Sequence, residues 1–226
     1  MPDASDNELL DEFARTGSEA AFAALAERHV NLVYSVALRQ TANSADARDI
    51  AHAVFVVLAR KARSLRSGTI LPGWLYHTAR LTARNFKRSE ARRTAREQEA
   101  YMQSVDAEAS SGGALCELEP LLDDAMATLG VRDRDAVVLR YFDNKTLKEI
   151  GVVLGIEERA AQKRVRRALE MLRRAFRRRG VVLTAMAIVG ALSANAVKAA
   201  PAGVAGAVAK AGGGTSVSGS VGALAA

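Results

Sequence analysis

Apolar residues recur at three- and four-residue steps over most of the chain, the spacing of a helical face. Leu9, Leu10 and Phe13 form a first short stripe between Asp6 and Arg15, which Gly17 stops. Ser18 can cap a second helix to about Gln40, with Phe22, Leu25, Ala26, Val33 and Val36 inward and His29 beside the stripe. A packed neutral histidine fits that place better than a ligand. After the Asn43-Ser44 turn, Ala47, Ile50, Ala51, Val54, Phe55, Leu58, Ala62 and Leu65 mark a third helix. Val56 and Val57 fall off its stripe, near Asp46, Asp49 and Arg60. A face that is partly greasy and partly charged suits docking on another protein; burial on two sides within its own domain explains it as well.

Arg66 to Gly73 holds Gly68, Pro72 and Gly73 and is expected to be a loop. A long helix follows from Trp74 to about Glu99, with Leu75, Ala79, Ala83 and Phe86 inward. Arg80, Arg84 and Lys87 share one of its faces, and Arg88, Arg92, Arg93 and Arg96 extend the charge. Trp74, Tyr76 and His77 gather at its start. Cations that can track a backbone, beside rings on which bases can stack, are the ingredients of a single-strand site, with Trp74, Tyr76, Arg80, Arg84, Lys87 and Arg88 as candidates.

Periodicity lapses from Gln103 to Gly113, where Ser, Gly and acidic residues predict a flexible linker. Leu118, Leu121, Leu122, Ala125, Met126 and Leu129 then open a second bundle, and Asp133 can cap its next helix. In that helix Ala136, Val137, Val138 and Leu139 are apolar nearly all round, which places it at the bundle's centre. Thr146 and Glu149 form a capping box for a helix to about Leu154, where Gly155 ends it. A second helix follows at once, with Ala161, Val165, Ala168, Leu169, Leu172 and Phe176 on one stripe. This is helix-turn-helix geometry. Arg159, Gln162, Lys163 and Arg166 lie opposite the stripe; with Thr146 and Arg167 they are the candidates for duplex contact, since guanidinium, ammonium and amide donors fit base edges and phosphates.

The expected fold is therefore all-α: a helical bundle over 1–100, a linker over 101–116, a helix-turn-helix bundle over 117–179, and an Ala/Gly-rich extension over 180–226. Charge sharpens that picture. Between Glu157 and Arg179 ten basic residues face three glutamates, a local excess of seven that equals the formal net charge of the whole 226-residue chain, +7. The cationic surplus is concentrated on the second helix of the motif, as duplex binding requires. The single Cys116 excludes an internal disulfide, and His29, His52 and His77 have no zinc-binding spacing. Met1 to Asp11 is polar and acidic, unlike a secretory leader, and a cytoplasmic location is expected. Neither a phosphate-binding loop nor a hydrolase or zinc-protease signature occurs, so a non-enzyme without metal or cofactor is expected.

Three blocks carry a family likeness: ADARDIAHAVFVVLARKARSL, LPGWLYHTARLTARNFKRSEARR, and LDDAMATLGVRDRDAVVLRYFDNKTLKEIGVVLGIEERAAQKRVRRALEMLRR. In that order and spacing the chain resembles, from about Asn7 to Arg178, the extracytoplasmic-function group of bacterial RNA polymerase sigma factors. The resemblance implies that the helix from Asp46 to Leu65 docks on the polymerase core, with Asp46, Asp49 and Phe55 on the family pattern and Val56 on the sticky outer face. It implies that Ser67 to Arg93 opens the minus-ten element and holds one strand, and that the second bundle reads the minus-thirty-five element. Core RNA polymerase, promoter DNA and an anti-sigma factor would be the partners. Arg48, His52, Gly151, Glu157, Arg159 and Gln162 depart from the usual pattern, and Gly151 in place of alanine should cost about 1 kcal/mol of helix propensity. The rival from another class is a free-standing helix-turn-helix regulator, which has no need of a single-strand face.

Val181 to Val197 is an apolar run at the lower edge of a bilayer span, with Arg173 to Arg179 on its N-terminal side. Inner-membrane association through 181–197 is one reading; a helix packed on the folded domains or on a partner fits better. Beyond Pro201 the end is expected to be disordered.

Overall fold

The computed structural model of the chain describes residues 4–66, 68–101, 114–194 and 197–210, and within them every regular element is helical. Four helices form the first group: α1 (Asp6–Thr16), α2 (Glu19–Thr41), α3 (Ser44–Lys61), which ends in a short 3-10 turn, and α4 (Leu71–Tyr101). The second group is α5 (Ala114–Ala127), α6 (Val131–Tyr141), α7 (Leu147–Leu154) and α8 (Glu158–Arg177), followed by α9 (Ala185–Ala194) and α10 (Val204–Ala209). Residues 102–113 of the expected linker and the end of the tail beyond 210 lie outside the described residues, and α5 already begins at Ala114.

Local signals place the helix ends. Ser5 and Glu8 form a capping box for α1, Gly17 closes it in the left-handed region at φ 71°, and Asn43 caps α3 through its side chain. Two expectations need correction. α4 starts at Leu71, because Pro72 has no N–H to lose in a first turn, so the end of the expected loop is helix. Gly130, and not Asp133, is the N-cap of α6; Asp133 sits inside the first turn and pairs with Arg164 of α8 at 3.1 Å.

The core of the first group is built on Phe13, Phe22 and Phe55, with ring centroids 4.7 and 6.3 Å apart in sequence. His29 is buried as expected of a packed histidine, and its Nε2 lies 2.8 Å from Asp6. Burial alone would raise the Asp6 carboxyl, yet the hydrogen bonds and charges of His29 and Arg28 outweigh it and hold that group below its ordinary value. Apolar packing runs on from this core through α5, α6 and α8 to Ile188 and Leu192 of α9 and Val204 and Val208 of α10. Leu139 of α6, Ile150 of α7 and Ala161 of α8 form a separate small core that seats the helix-turn-helix on α6.

The tail helices pack on the folded groups, α9 against α8 and α10 against α2 and α3, so the expectation of disorder from Pro201 onward is corrected for Val204–Ala209, where burial of Val204 and Val208 supports a helix. At 10 residues α9 rises only about 15 Å, half of a bilayer's apolar thickness. No helix among the described residues is long and apolar enough to cross a membrane.

Candidate nucleic-acid interface

The helix-turn-helix is built by three local devices. Thr146 accepts from the backbone N–H of Glu149 at 3.3 Å, while Glu149 accepts from the backbone N–H of Thr146 at 2.7 Å, closing the capping box that starts α7. The same bonds hold the Glu149 carboxyl below its usual range. Gly155 ends α7 at φ 63°, and the Ile156 N–H returns to the Gly151 carbonyl at 2.9 Å. That return explains Gly151. A Cβ there would stand 2.7 Å from the Ile156 carbonyl oxygen, so the glycine permits the tight turn and is not merely a weak helix former. Glu157 occupies the N-cap of α8 without a side-chain cap bond.

On α8 the apolar stripe is sharply separated: Ala161, Val165, Ala168, Leu172, Ala175 and Phe176 are buried. Arg159, Gln162, Lys163, Arg166 and Arg167 are all exposed. Arg167 leans toward Asp133 at 3.7 Å but keeps most of its side chain in solvent. Thr146 is exposed too, with its hydroxyl donating to Glu149 at 2.7 Å, so it fixes the start of α7 while standing at the edge of the face. Five exposed donors on one helix can meet base edges and phosphates in a groove of duplex DNA.

α4 divides its candidates differently. Arg84, Lys87 and Arg88 are exposed, and Trp74 is half-buried against the core. Tyr76 and Arg80 are not exposed, which corrects the expectation that both line an open strand face. Tyr76 is 0% exposed and donates to the Asp123 carboxylate of α5 at 2.5 Å. Asp123, also 0% exposed, accepts from Arg39 at 3.3 and 3.4 Å and from Gln40 at 2.8 Å. Burial, then the Asp123 charge, pushes the Tyr76 phenol well above its ordinary value. Phe142, the C-cap of α6, completes the site, with its ring 5.4 Å from Tyr76 and 5.3 Å from the Arg39 guanidinium. Arg80 is buried in the same contact, 3.5 Å from Asp124, and its Nε has no hydrogen-bond partner among the described residues. His77 is half-buried; burial, then Arg134 and Arg80, lowers its value, so the ring is neutral near pH 7 and does not add to the cationic face.

The start of α4 meets α6. A Cβ on Gly73 would fall 1.9 Å from the Asp135 carboxylate, a contact only glycine allows without displacing that side chain. Burial pushes the Asp135 carboxyl up to about 6, with Arg134 pulling the other way. Sequence periodicity missed Asp123, Arg39, Gln40 and Asp135, because each stands in a helical register that would be polar surface if its own bundle were alone.

α3 presents its docking candidates unequally. Asp49 is exposed and Asp46 half-buried, but Phe55 and Val56 are buried. Phe55 belongs to the ring cluster with Phe22, so it supports the helix from inside and offers no outward contact. Val56 is buried on a helix that is packed by α2, α4 and the tail helix α10.

Residues 25–93, covering most of α2 to α4, match sigma-70 region 2, and residues 120–172, covering α5 to α8, match sigma-70 region 4. The chain is 32% identical to the RNA polymerase sigma factor CarQ of Myxococcus xanthus over 70% of its own length and 91% of that protein. The chain belongs to the extracytoplasmic-function sigma factors. It is also 29% identical to the ECF sigma factor SigE of Mycolicibacterium smegmatis, over 71% of this chain and 65% of that one, and 26% identical to the ECF sigma-E factor of Escherichia coli, over 76% and 95%. As a sigma factor the protein serves transcription initiation, and a stand-alone helix-turn-helix regulator is not favoured, since such a protein has no use for region 2.

Proposed function

We propose that this sigma factor divides promoter recognition between two helices. The outward face of α8, through Arg159, Gln162, Lys163, Arg166 and Arg167, reads the minus-thirty-five element as duplex. The exposed cations Arg84, Lys87 and Arg88 of α4, with Trp74 at their edge, hold the separated strand of the minus-ten element. The outer face of α3 around Asp46 and Asp49 docks on core RNA polymerase. An anti-sigma factor is the expected antagonist, and the cytoplasm, where polymerase works, the expected location.

The observation that carries this reading is the exposure of the α8 cations, with Arg159, Lys163 and Arg166 carrying no ion pair among the described residues. Unpaired exposed cations on a helix of this polarity are free to replace counterions on a phosphate backbone. Run-off transcription with purified core polymerase tests it: promoter-dependent transcripts are expected when the chain is added, and their absence would refute the reading.

A further inference from the structure

The tail does something specific to the first helical group. Residues 198–200 lie against α2. The Lys198 N–H donates to the Ser35 hydroxyl at 2.5 Å, that hydroxyl lies 3.0 Å from the Lys198 carbonyl, and the Ala200 N–H donates to the Asn31 side chain at 2.9 Å. Asn31 and Ser35 are one helical turn apart, so the face of α2 carries a short peptide-binding track. Pro201 and Gly203, the latter at φ 89°, then turn the chain into α10, which packs on both α2 and α3. Val204 and Val208 are buried there, and Ala205 and Ala209 pack beside them.

A six-residue helix has no stability of its own, so α10 exists only because the α2–α3 surface supports it. The contact is made by Val204 and Val208, by Ala200, Ala205 and Ala209 beside them and by the hydrogen bonds to Asn31 and Ser35, and it is held by a segment tethered to the same chain. Such a contact can close most of the time and still give way to a large partner. α3 is also the helix assigned above to polymerase docking, and Ala53 and Val56, four and seven residues beyond Asp49 and so on the same face, are buried on this helix that α10 packs against.

We propose that residues 197–209 form an autoinhibitory strap, which occupies the α2–α3 surface in the free protein and must leave it before core RNA polymerase can dock. This rests on the assignment of α3 to polymerase docking. A strap closed about nine-tenths of the time weakens the apparent affinity for polymerase about tenfold, because only the open fraction binds. Its occupant is this chain's own tail, so the inhibition is independent of protein concentration and is relieved by whatever captures or removes the tail.

The test compares three full-fold proteins in titrations with core RNA polymerase: the natural chain, V204D/V208D, and a chain ending at Val197. Both variants leave α2 and α3 untouched and break the contact in different ways. Each should bind polymerase about tenfold more tightly than the natural chain, and a synthetic peptide of residues 197–210 added in trans should reverse the gain. Hydrogen exchange should rise on α2 near Asn31 and Ser35 in both variants, with the melting of the second group unchanged. Equal affinity for all three proteins would overturn the strap while leaving the sigma reading intact. Failure of all three to bind would overturn the polymerase-docking assignment itself.

Discussion

α4 and α8 are both long, arginine-rich helices, yet they spend their charge differently. On α8 every candidate duplex contact is exposed, from Arg159 to Arg167. On α4 the first turns face the second helical group: Tyr76 and Arg80 are buried against Asp123 and Asp124, and the open cations begin only at Arg84. Composition alone does not separate the two. The difference lies in their neighbours, since α8 buries one clean stripe within its own bundle, whereas α4 is covered on a second side by helices more than forty residues further along the chain. A basic helix is a nucleic-acid face only where nothing else in the fold claims its cations.

The sharpest way to break this comparison is to remove what holds α4 against α5. Asp123→Ala takes away the buried carboxylate shared by Arg39, Gln40 and Tyr76, and should cost about 3–5 kcal/mol in urea unfolding. A loss under about 1 kcal/mol would mean that the contact is dispensable.

A smaller effect is expected at the other end of the same contact. The Asp135 carboxyl is pushed up to about 6 from an ordinary 3.8, so between those values the folded protein holds a proton that the unfolded chain has released. Stability from this group is therefore present at low pH and is lost as pH rises through that window. Asp135→Asn should stabilise the protein by about 1–2 kcal/mol near neutral pH and have little effect near pH 4, as read by thermal melts at the two values.

The smallest effect sharpens the contrast from the α8 side. Helix propensity alone gives Gly151→Ala a gain of about 1 kcal/mol. The 2.7 Å approach of a Cβ to the Ile156 carbonyl reverses the sign, and a net loss of about 1 kcal/mol is expected in denaturant unfolding.

These cases also mark what the sequence could reveal. The helix-turn-helix was legible because its signals are local: the Thr146 and Glu149 box, Gly155 and the α8 stripe each act within one or two turns. The all-α fold followed from the same periodicity. The Asp123 contact was not legible, because Arg39, Tyr76 and Asp123 come from three separated stretches, and nothing near any of them requires the others. Phe55 shows the reverse error. A family pattern placed it on the docking face, while its own periodicity placed it in the core beside Phe22, and the periodicity was right. The seat of α10 on α2 and α3 escaped notice for the same non-local reason, since Ser35 and Lys198 lie 163 residues apart.

In the division of promoter recognition proposed above, two separate helices serve two forms of DNA. The most direct measurement sets permanganate reactivity of promoter thymines beside duplex binding of the minus-thirty-five element, for Arg84→Ala/Lys87→Ala/Arg88→Ala and for Arg166→Ala. The triple substitution on α4 should abolish thymine reactivity and leave duplex affinity within about twofold, while Arg166→Ala should weaken duplex binding by about 1–3 kcal/mol. Parallel losses in both assays for either protein, or thymine reactivity that survives the triple substitution, would contradict it.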